Sequence, residues 1–297
     1  MFTTIVPGQI PTGKLHAYLL GGVAPRPIAL VSTIDRDGKV NLSPFSFFNV
    51  FGSNPPIAII SPARRVRDNT TKHTLENAMA TGELVINAVN FSMVQQTSLS
   101  SVEYPAGIDE FTKAGFNSLA SEVVKPPRVL ESPFQLECMV SQVVHTGSEG
   151  GAGNLIFAHI LRVHVRTDVL DAQANIDPHL IDLVGRLGGD AYVRASGDAL
   201  FMVPKPVNGI GIGIDALPEA IRFAPQLSGN HLGRLGNVLS WPTRHDSEHF
   251  WTTEEGRLLL QDSGFLSEAD VYTQAKAWLD RDLLWPAIHW LNTQLDA

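Results

Sequence analysis

Cysteine is nearly absent from this chain. Its 297 residues include one, Cys138, so no internal disulfide can form and a reducing compartment is expected. Basic residues are also in the minority. Lys and Arg number 22 against 30 Asp and Glu, a net charge of −8, and this excludes a general nucleic-acid binder, which needs a basic face to offset phosphates. A local anion site remains compatible with that balance. No uninterrupted run of about 18 apolar residues occurs, so no membrane-spanning helix is expected. The first residues show no basic stretch followed by an apolar one, so no secretory leader is expected and the cytoplasm is the expected location.

Several chemical signatures are missing as well. The glycines of Gly209-Ile210-Gly211-Ile212-Gly213 have the wrong spacing for a dinucleotide fingerprint and read as a connector. His245 and His249 form an i, i+4 pair without the intervening Glu of a zinc helix, the ten histidines are scattered, and no metal signature is present. No G-x-S-x-G elbow occurs, which argues against hydrolysis. Cys138 sits in the strand-like run Phe134 to Val140 and reads as a small buried apolar side chain rather than a nucleophile.

What is present is 44% hydrophobic residues, enough for a large core. Residues up to Leu20 give only a weak signal, and Leu19 to Ala24 leads into Pro25-Arg26-Pro27, whose prolines hold the chain extended. Ile28 to Ile34 reads as a strand buried on both faces, Asp35 to Lys39 as a hairpin turn with Gly38 at positive φ, and Val40 to Leu42 as the return strand. Ile57 to Ile60, Leu84 to Asn90, Leu136 to Val144 and Leu155 to Val165 are further strands. Helices are predicted over Thr74 to Thr81, closed by Gly82, over Asp109 to Ala114, closed by Gly115, and over Asp177 to Leu187. The last of these carries Leu180, Leu183, Val184 and Leu187 on one face, with Gly188 past its end. Short strands with few helices between them point to an antiparallel barrel rather than a doubly wound sheet. Beyond Lys205 strand-like runs cease. Thr252 to Glu255 precedes an apolar run, Ser267-Glu268-Ala269-Asp270 reads as a capping box, and Val271 to Leu284 and Pro286 to Leu295 read as amphipathic helices. The expected organisation is a mainly β domain over 1–204 and a helical extension over 205–297 that packs on the barrel or on a partner subunit.

The chemistry concentrates in Pro25 to Asn77. Arg64-Arg65-Val66-Arg67-Asp68-Asn69-Thr70-Thr71-Lys72-His73-Thr74 sets three arginines, a lysine and a histidine against one acid and ends where a helix starts. Free amides at a helix start, hydroxyls and paired guanidinium donors together suit a phosphate. The same residues also suit a solvated loop whose Asn or Thr merely caps the helix, and the two readings stand level. Ser43-Pro44-Phe45-Ser46-Phe47-Phe48-Asn49 can lay aromatic rings along a flat ligand while Ser46 and Asn49 meet its polar edge. Phenylalanines so spaced are more often core residues. His159 shares strand parity with Leu155, Phe157, Leu161, Val163 and Val165. It is therefore expected to point into the apolar face, as a hydrogen-bonded core histidine or as the lining of a cavity.

These segments resemble the flavin reductase-like family, the FMN-binding split-barrel proteins that include flavoredoxins. The resemblance is carried by Pro25-Arg26-Pro27-Ile28-Ala29-Leu30-Val31-Ser32-Thr33, by Asp37-Gly38 followed by Asn41 to Asn49, and by Asn54-Pro55-Pro56. It continues through Lys72 to Asn77, Gly82 to Asn87 and Arg186-Leu187-Gly188-Gly189-Asp190-Ala191-Tyr192, so that it spans Ile5 to Val203. It implies a homodimer of six-stranded split barrels with FMN, rather than FAD, near the subunit interface. Carried over by position, Ser43, Ser46, Phe47, Phe48 and Asn49 lie along the isoalloxazine. Ser61, Pro62, Asn69, Thr70, Thr71, Lys72, His73 and Thr74 hold the ribityl chain and phosphate. Arg26, Arg67, His159 and Tyr192 complete the set of candidate cofactor contacts. Lys72-His73-Thr74 departs from the family's more usual K-D-T by placing a potentially cationic histidine where an acid stands.

The resemblance implies an NAD(P)H-dependent flavin oxidoreductase that passes electrons to a second acceptor. No general acid or base is assigned, since hydride transfer to a flavin needs none of fixed identity. Two alternatives are an FMN-binding electron carrier with no direct NAD(P)H reaction and a cofactor-less split-barrel interaction module that uses the helical tail as its surface.

Overall fold

The computed structural model describes residues 1–105, 107–205, 209–263 and 271–295. They form two compact units, Met1–Phe201 and Met202–Ala297. The Ser267-Glu268-Ala269-Asp270 capping box lies outside the described residues.

The first unit opens with α1 (Thr12–Gly22), where the sequence suggests only a weak signal. It buries none of its residues, so no apolar stripe announced it. Then come β1 (Ala29–Ile34), β2 (Val40–Phe45), β3 (Phe48–Ser53), β4 (Pro56–Ile60), α2 (His73–Thr81) and β5 (Glu83–Ala88). After α3 (Val94–Leu99) and α4 (Glu110–Ala114), a small ribbon pairs β6 (Ser118–Leu119) with β7 (Arg128–Val129), and the long strands β8 (Phe134–His145) and β9 (Asn154–Val165) follow. A one-turn helix α5 (Pro178–Ile181) leads to a hairpin of β10 (Val184–Arg186) and β11 (Tyr192–Arg194).

The main sheet has seven strands in the order β2-β1-β5-β8-β9-β4-β3, one more than the six implied by the resemblance, and its neighbours pair antiparallel. Its two edges, β2 and β3, are consecutive in the chain and separated only by Ser46 and Phe47. Three peptide steps span at most about 11 Å, whereas the edges of a flat seven-stranded sheet lie about 29 Å apart. The sheet is therefore rolled into a split barrel. Its interior is filled by Ala29, Val31, Phe45, Ala58, Ile60, Leu84, Ile86, Leu136, Cys138, Ile156 and Ala158, with Leu75 and Ala78 of α2 packed into the same cluster. Asn41 Nδ2 donates to Thr74 Oγ1 at 2.9 Å and Asn77 Nδ2 to Thr33 Oγ1 at 3.1 Å, which ties α2 to β2 and β1. A second core lies on the other side of β1 and β2, where Ile28, Leu30 and Leu42 meet Met93, Phe111, Phe116 and Val184. β1 is thus buried on both faces, as its unbroken apolar run indicates. The β1–β2 turn also matches expectation: Asp35 Oδ1 accepts from the amides of Asp37 (2.9 Å) and Lys39 (2.8 Å), and Gly38 has φ +83°. Cys138 is fully buried, and burial pushes its thiol up to about 12, so it is packing rather than a nucleophile.

The helix predicted over Asp177 to Leu187 is corrected. Asp177 caps the amides of His179 and Leu180, but the helix ends at Ile181 because Asp182 turns left-handed (φ +51°). The Asp182 carboxylate then grips Arg194 at 2.7 and 2.8 Å, and Val184 to Arg186 pairs with β11. The apolar spacing there is split between uses, since Val184 joins a core while Leu180 is half exposed. Gly185 is required by packing: a Cβ would lie 2.8 Å from the Pro25 side chain. The core parity of β9 is Asn154, Ile156 and Ala158, so His159 faces outward from the barrel, contrary to the expectation that its face is the interior one.

The second unit is helical, with α6 (Glu219–Arg222), α7 (Gly229–Leu235), α8 (Arg244–Phe250), α9 (Glu254–Ser263), α10 (Val271–Asp280) and α11 (Leu284–Gln294). Its core gathers Ile221, Leu235, Ala275, Trp278, Leu279, Ile288 and Leu291, with Trp251 stacked on Trp278 at 5.7 Å. Buried Asn292 accepts from Trp241 Nε1 at 2.9 Å and donates to Ser247 Oγ at 2.9 Å, which joins α8 to α11. Among the described residues no helix is long and apolar enough to cross a membrane.

One buried charge fixes the segment before β8. Glu137 accepts from the amides of Glu122 (2.8 Å) and Val123 (2.7 Å), and His164 Nε2 lies 2.8 Å away. Burial alone raises its pKa, but these donors outweigh burial and hold the carboxyl below its ordinary value. The stability it contributes is present above the unfolded carboxyl pKa and is lost as pH falls through the folded one. Glu137→Gln is therefore expected to lower stability by about 1–3 kcal/mol at pH 7. The gap from wild type should narrow as pH falls below about 4. Urea unfolding at several pH values measures it, and a pH-independent gap would refute the assignment.

Candidate functional site

Two depressions meet along the edge strand β2. The larger, about 560 Å³, lies on the outer side of the barrel wall. Pro44, Phe45 and Ser46 form one side, Phe91, Val94, Thr97 and Ser98 another, and Arg186, Tyr192 and Arg194 of the β10–β11 hairpin a third. The smaller, about 30 Å³, is lined by Asn41 and Ser43 of β2, Lys72, His73 and Thr74 at the start of α2, Arg65, Glu103 and Glu110. Ser101 lines both, so they are neighbours along one path.

The local folding explains each wall. β2 is an edge strand, so its outward amides have no strand partner. Leu42 N donates instead to Glu110 Oε2 at 3.0 Å, and burial raises that carboxyl's pKa. α2 begins after Lys72 with no side chain capping its first amides, which leaves donors and a partial positive charge at the small depression. The Lys72 ammonium lies 5.9 Å from the Phe45 ring, and burial, followed by the nearby Arg65, lowers its pKa. In the larger cavity the Arg186 guanidinium sits 4.5 Å above the Tyr192 ring and Arg194 4.0 Å above Phe91. Arg194 is engaged by Asp182, whereas among the described residues the one carboxylate near Arg186 is that of the fully exposed Asp190, at 3.9 Å.

The residues singled out from the sequence do not all reach this site. Ser43, Lys72, His73 and Thr74 line the small depression, and Ser46 and Tyr192 line the large one. Phe48 pairs with Ile60 and packs against the barrel core, so its ring is structural. Phe47 sits between the edges, edge-on to His16 at 6.0 Å, and Asn49 is exposed with its side chain bonded to the Val50 amide. Ser61 and Pro62 are buried, and the Pro62 carbonyl accepts from Asn154 at 2.7 Å. Asn69, left-handed at φ +56°, takes Arg64 Nε at 2.6 Å on its side-chain oxygen and donates to the Ser148 carbonyl. Thr70 bonds Asp68 and Arg65, and Thr71 bonds Glu76. These last three hold the Arg64–Thr71 loop in shape rather than lining either depression. Arg67 projects into solvent and pairs with Asp68 and Glu103. His159 lies on the outer face of β9, opposite Ile57 and Met139.

Arg26 is a pin. It is 6% exposed, and burial, followed by neighbouring Arg186, lowers its pKa. Its donors go to the carbonyls of Leu20 (2.6 Å), Val23 (2.8 Å) and Leu187 (3.0 Å) and to Ser46 Oγ (3.3 Å). It therefore fastens the end of α1, the link between the barrel edges and the β10–β11 hairpin to one another. Sequence reading missed Phe91, Arg194, Glu103 and Glu110. None of these belongs to a site motif, whereas Arg65 and Arg186, which also line the depressions, stood in segments already marked.

Comparison with known proteins follows the same outline. The family described as "Flavin reductase like domain" matches residues 21–184, which leaves the second unit outside the match. An "uncharacterized protein" of Aquifex aeolicus is 38% identical over 189 residues, 64% of this chain and 94% of that one. The crystal structure of nitrilotriacetate monooxygenase component B from Bacillus cereus is 26% identical with a TM-score of 0.64, covering 68% of this chain and 99% of the other. That of a putative flavin reductase with a split barrel domain from Shewanella frigidimarina is 28% identical with a TM-score of 0.57, covering 66% and 94%.

Arg26→Lys, which keeps the charge but loses the planar fork, is expected to lower stability by about 2–3 kcal/mol. It should also increase proteolytic cutting near Leu20 and in the β10–β11 turn. Limited proteolysis with denaturant unfolding measures both, and an unchanged unfolding midpoint would remove Arg26 from this role.

Proposed function

The chain belongs to the flavin reductase-like family, and on that footing we propose that it is an FMN-dependent oxidoreductase in which NAD(P)H donates a hydride and a second acceptor takes the electrons onward. The observation that carries the reading is the meeting, at Ser101, of an aromatic-walled cavity with a basic depression at a helix start. A flat ring with a phosphate tail matches that donor set. Bound flavin supplies the hydride and electron chemistry.

The protein's own contribution is placement and charge. Pro44, Phe45 and Ser46 offer a wall for the ring, with Tyr192 and Phe91 opposite. Lys72, Arg65, the Ser43 hydroxyl and the uncapped amides of α2 offer a phosphate seat. The small volume of that seat suits one terminal phosphate, which favours FMN over FAD. Arg186, whose backbone pairs with Arg26 beside Ser46, brings positive charge to the ring cavity and favours added negative charge there. Anaerobic titration of the FMN-loaded protein with NADH and then NADPH is expected to bleach the flavin with at least one of them. Reduction by dithionite but by neither nicotinamide would overturn the reductase reading in favour of an electron carrier.

We further propose that the functional unit is a homodimer joined through the outer face of β3, β4 and β9. Ile59 and Phe157 pair across β4 and β9 on the side opposite the core, alongside Ile57, His159 and Met139, and Phe51 is 66% exposed at the adjacent bulge. An apolar face of this kind is atypical of a free surface, and self-association of like faces needs only a two-fold axis. Light scattering is expected to give twice the chain mass for wild type and the single-chain mass for Phe157→Glu combined with Phe51→Glu. A monomeric wild type would refute the assignment.

A further inference from the structure

The phosphate seat already contains an anion. Glu103, at the mouth of the small depression, takes Arg65 Nε on one carboxylate oxygen at 2.9 Å and Arg67 Nη2 on the other at 2.9 Å. Arg65 is the less exposed member of the pair, 20% exposed, and the one that lines the seat. Its Nη1 is held by Thr70 Oγ1 at 2.8 Å and by the Thr71 carbonyl, so its orientation does not depend on Glu103. Lys72 faces the same space, and among the described residues it has no carboxylate within ion-pair distance. The seat thus holds two cations, the buried Glu110, whose carboxylate accepts from the Leu42 amide, and Glu103, a carboxylate on an exposed, rotatable stem.

We propose that Glu103 is a specificity-determining residue: an internal counter-ion that competes with the flavin phosphate for Arg65 and so limits how strongly the protein prefers FMN to unphosphorylated flavin. The inference rests on the phosphate placement proposed above. A phosphate dianion brought to Arg65 and Lys72 either displaces Glu103 or binds beside it. In the first case the Arg65–Glu103 contact is lost. In the second, two anions share one guanidinium, and like charges at that range oppose binding. Either way Glu103 weakens the phosphorylated ligand and leaves riboflavin untouched. The loop anchoring of Arg65 by Thr70 and Thr71 means that removing the carboxylate frees the guanidinium without disordering it.

The test measures dissociation constants of FMN and riboflavin for the full chain by flavin fluorescence quenching. Wild type, Glu103→Gln, Glu103→Ala and Lys72→Ala are compared at low and moderate salt. Both Glu103 variants are expected to bind FMN about ten-fold more tightly with riboflavin unchanged, and the FMN gain should shrink as salt screens the charges. FMN affinity that is unchanged or weaker in both Glu103 variants overturns the proposal, because Glu103 would then support Arg65 rather than compete for it. An equal gain for riboflavin also overturns it, by moving the effect to the ring. Lys72→Ala separates this from the underlying reading. It should weaken FMN and spare riboflavin, and equal losses for both would show that the phosphate lies elsewhere, whatever the Glu103 variants do.

Discussion

The two-residue link between β2 and β3 is the constraint from which the rest of the first unit follows. Ser46 and Phe47 join the two edges of a seven-stranded sheet, so the sheet has to roll until those edges meet. Rolling turns Ala29, Val31 and Phe45 inward to a closed core and leaves Leu30 and Leu42 to a second core outside. The link is held on both sides. Ser61 N donates to the Phe47 carbonyl at 2.8 Å, and the buried Arg26 donates to Ser46 Oγ. Closure also exposes the outward edge of β2, where the Leu42 amide donates to Glu110 instead of to a strand. Backbone donors on that edge lack a strand partner, and both depressions lie along it.

Electrostatics divides that surface. The chain is acidic overall, yet Arg65, Lys72 and an uncapped helix start converge on the small depression. The larger cavity beside it is walled in part by Phe91 and Tyr192, each covered by a guanidinium group, Arg194 bound to Asp182 and Arg186 meeting the exposed Asp190 at 3.9 Å. The charge at each end is thus set by which arginine has already found a carboxylate, and not by the number of basic residues nearby.

The second unit stands apart from this logic. It has its own tryptophan-rich core and its own buried polar network through Asn292, and the family match ends at residue 184. Its stability is thus accounted for within its own residues, and the flavin chemistry proposed for the first unit draws on none of them.

The sequence by itself determined what depends on neighbours along the chain. The unbroken apolar run of β1, the Asp35–Gly38 turn, the α2 helix and the long strands β8 and β9 are local patterns, and they pointed to an antiparallel barrel; that it is a split barrel was implied by the family resemblance. Ser43, Lys72, His73 and Thr74 were each legible as candidates, but the sequence assigned Ser43 to the ring and the other three to the phosphate, and only the structure lines one depression with all four. Only the tertiary structure decided the rest. It turned Asp177 to Leu187 from one helix into a capped turn and a strand, because pairing with β11 and the Asp182–Arg194 clamp outweighs the apolar spacing. It sent Phe48 to the core and His159 to the outer face, since strand parity fixes which residues share a face but not which face is inside. It also gathered Phe91, Glu103, Arg186 and Arg194 from segments up to about a hundred residues apart, a proximity that closure of the sheet creates and no local pattern records.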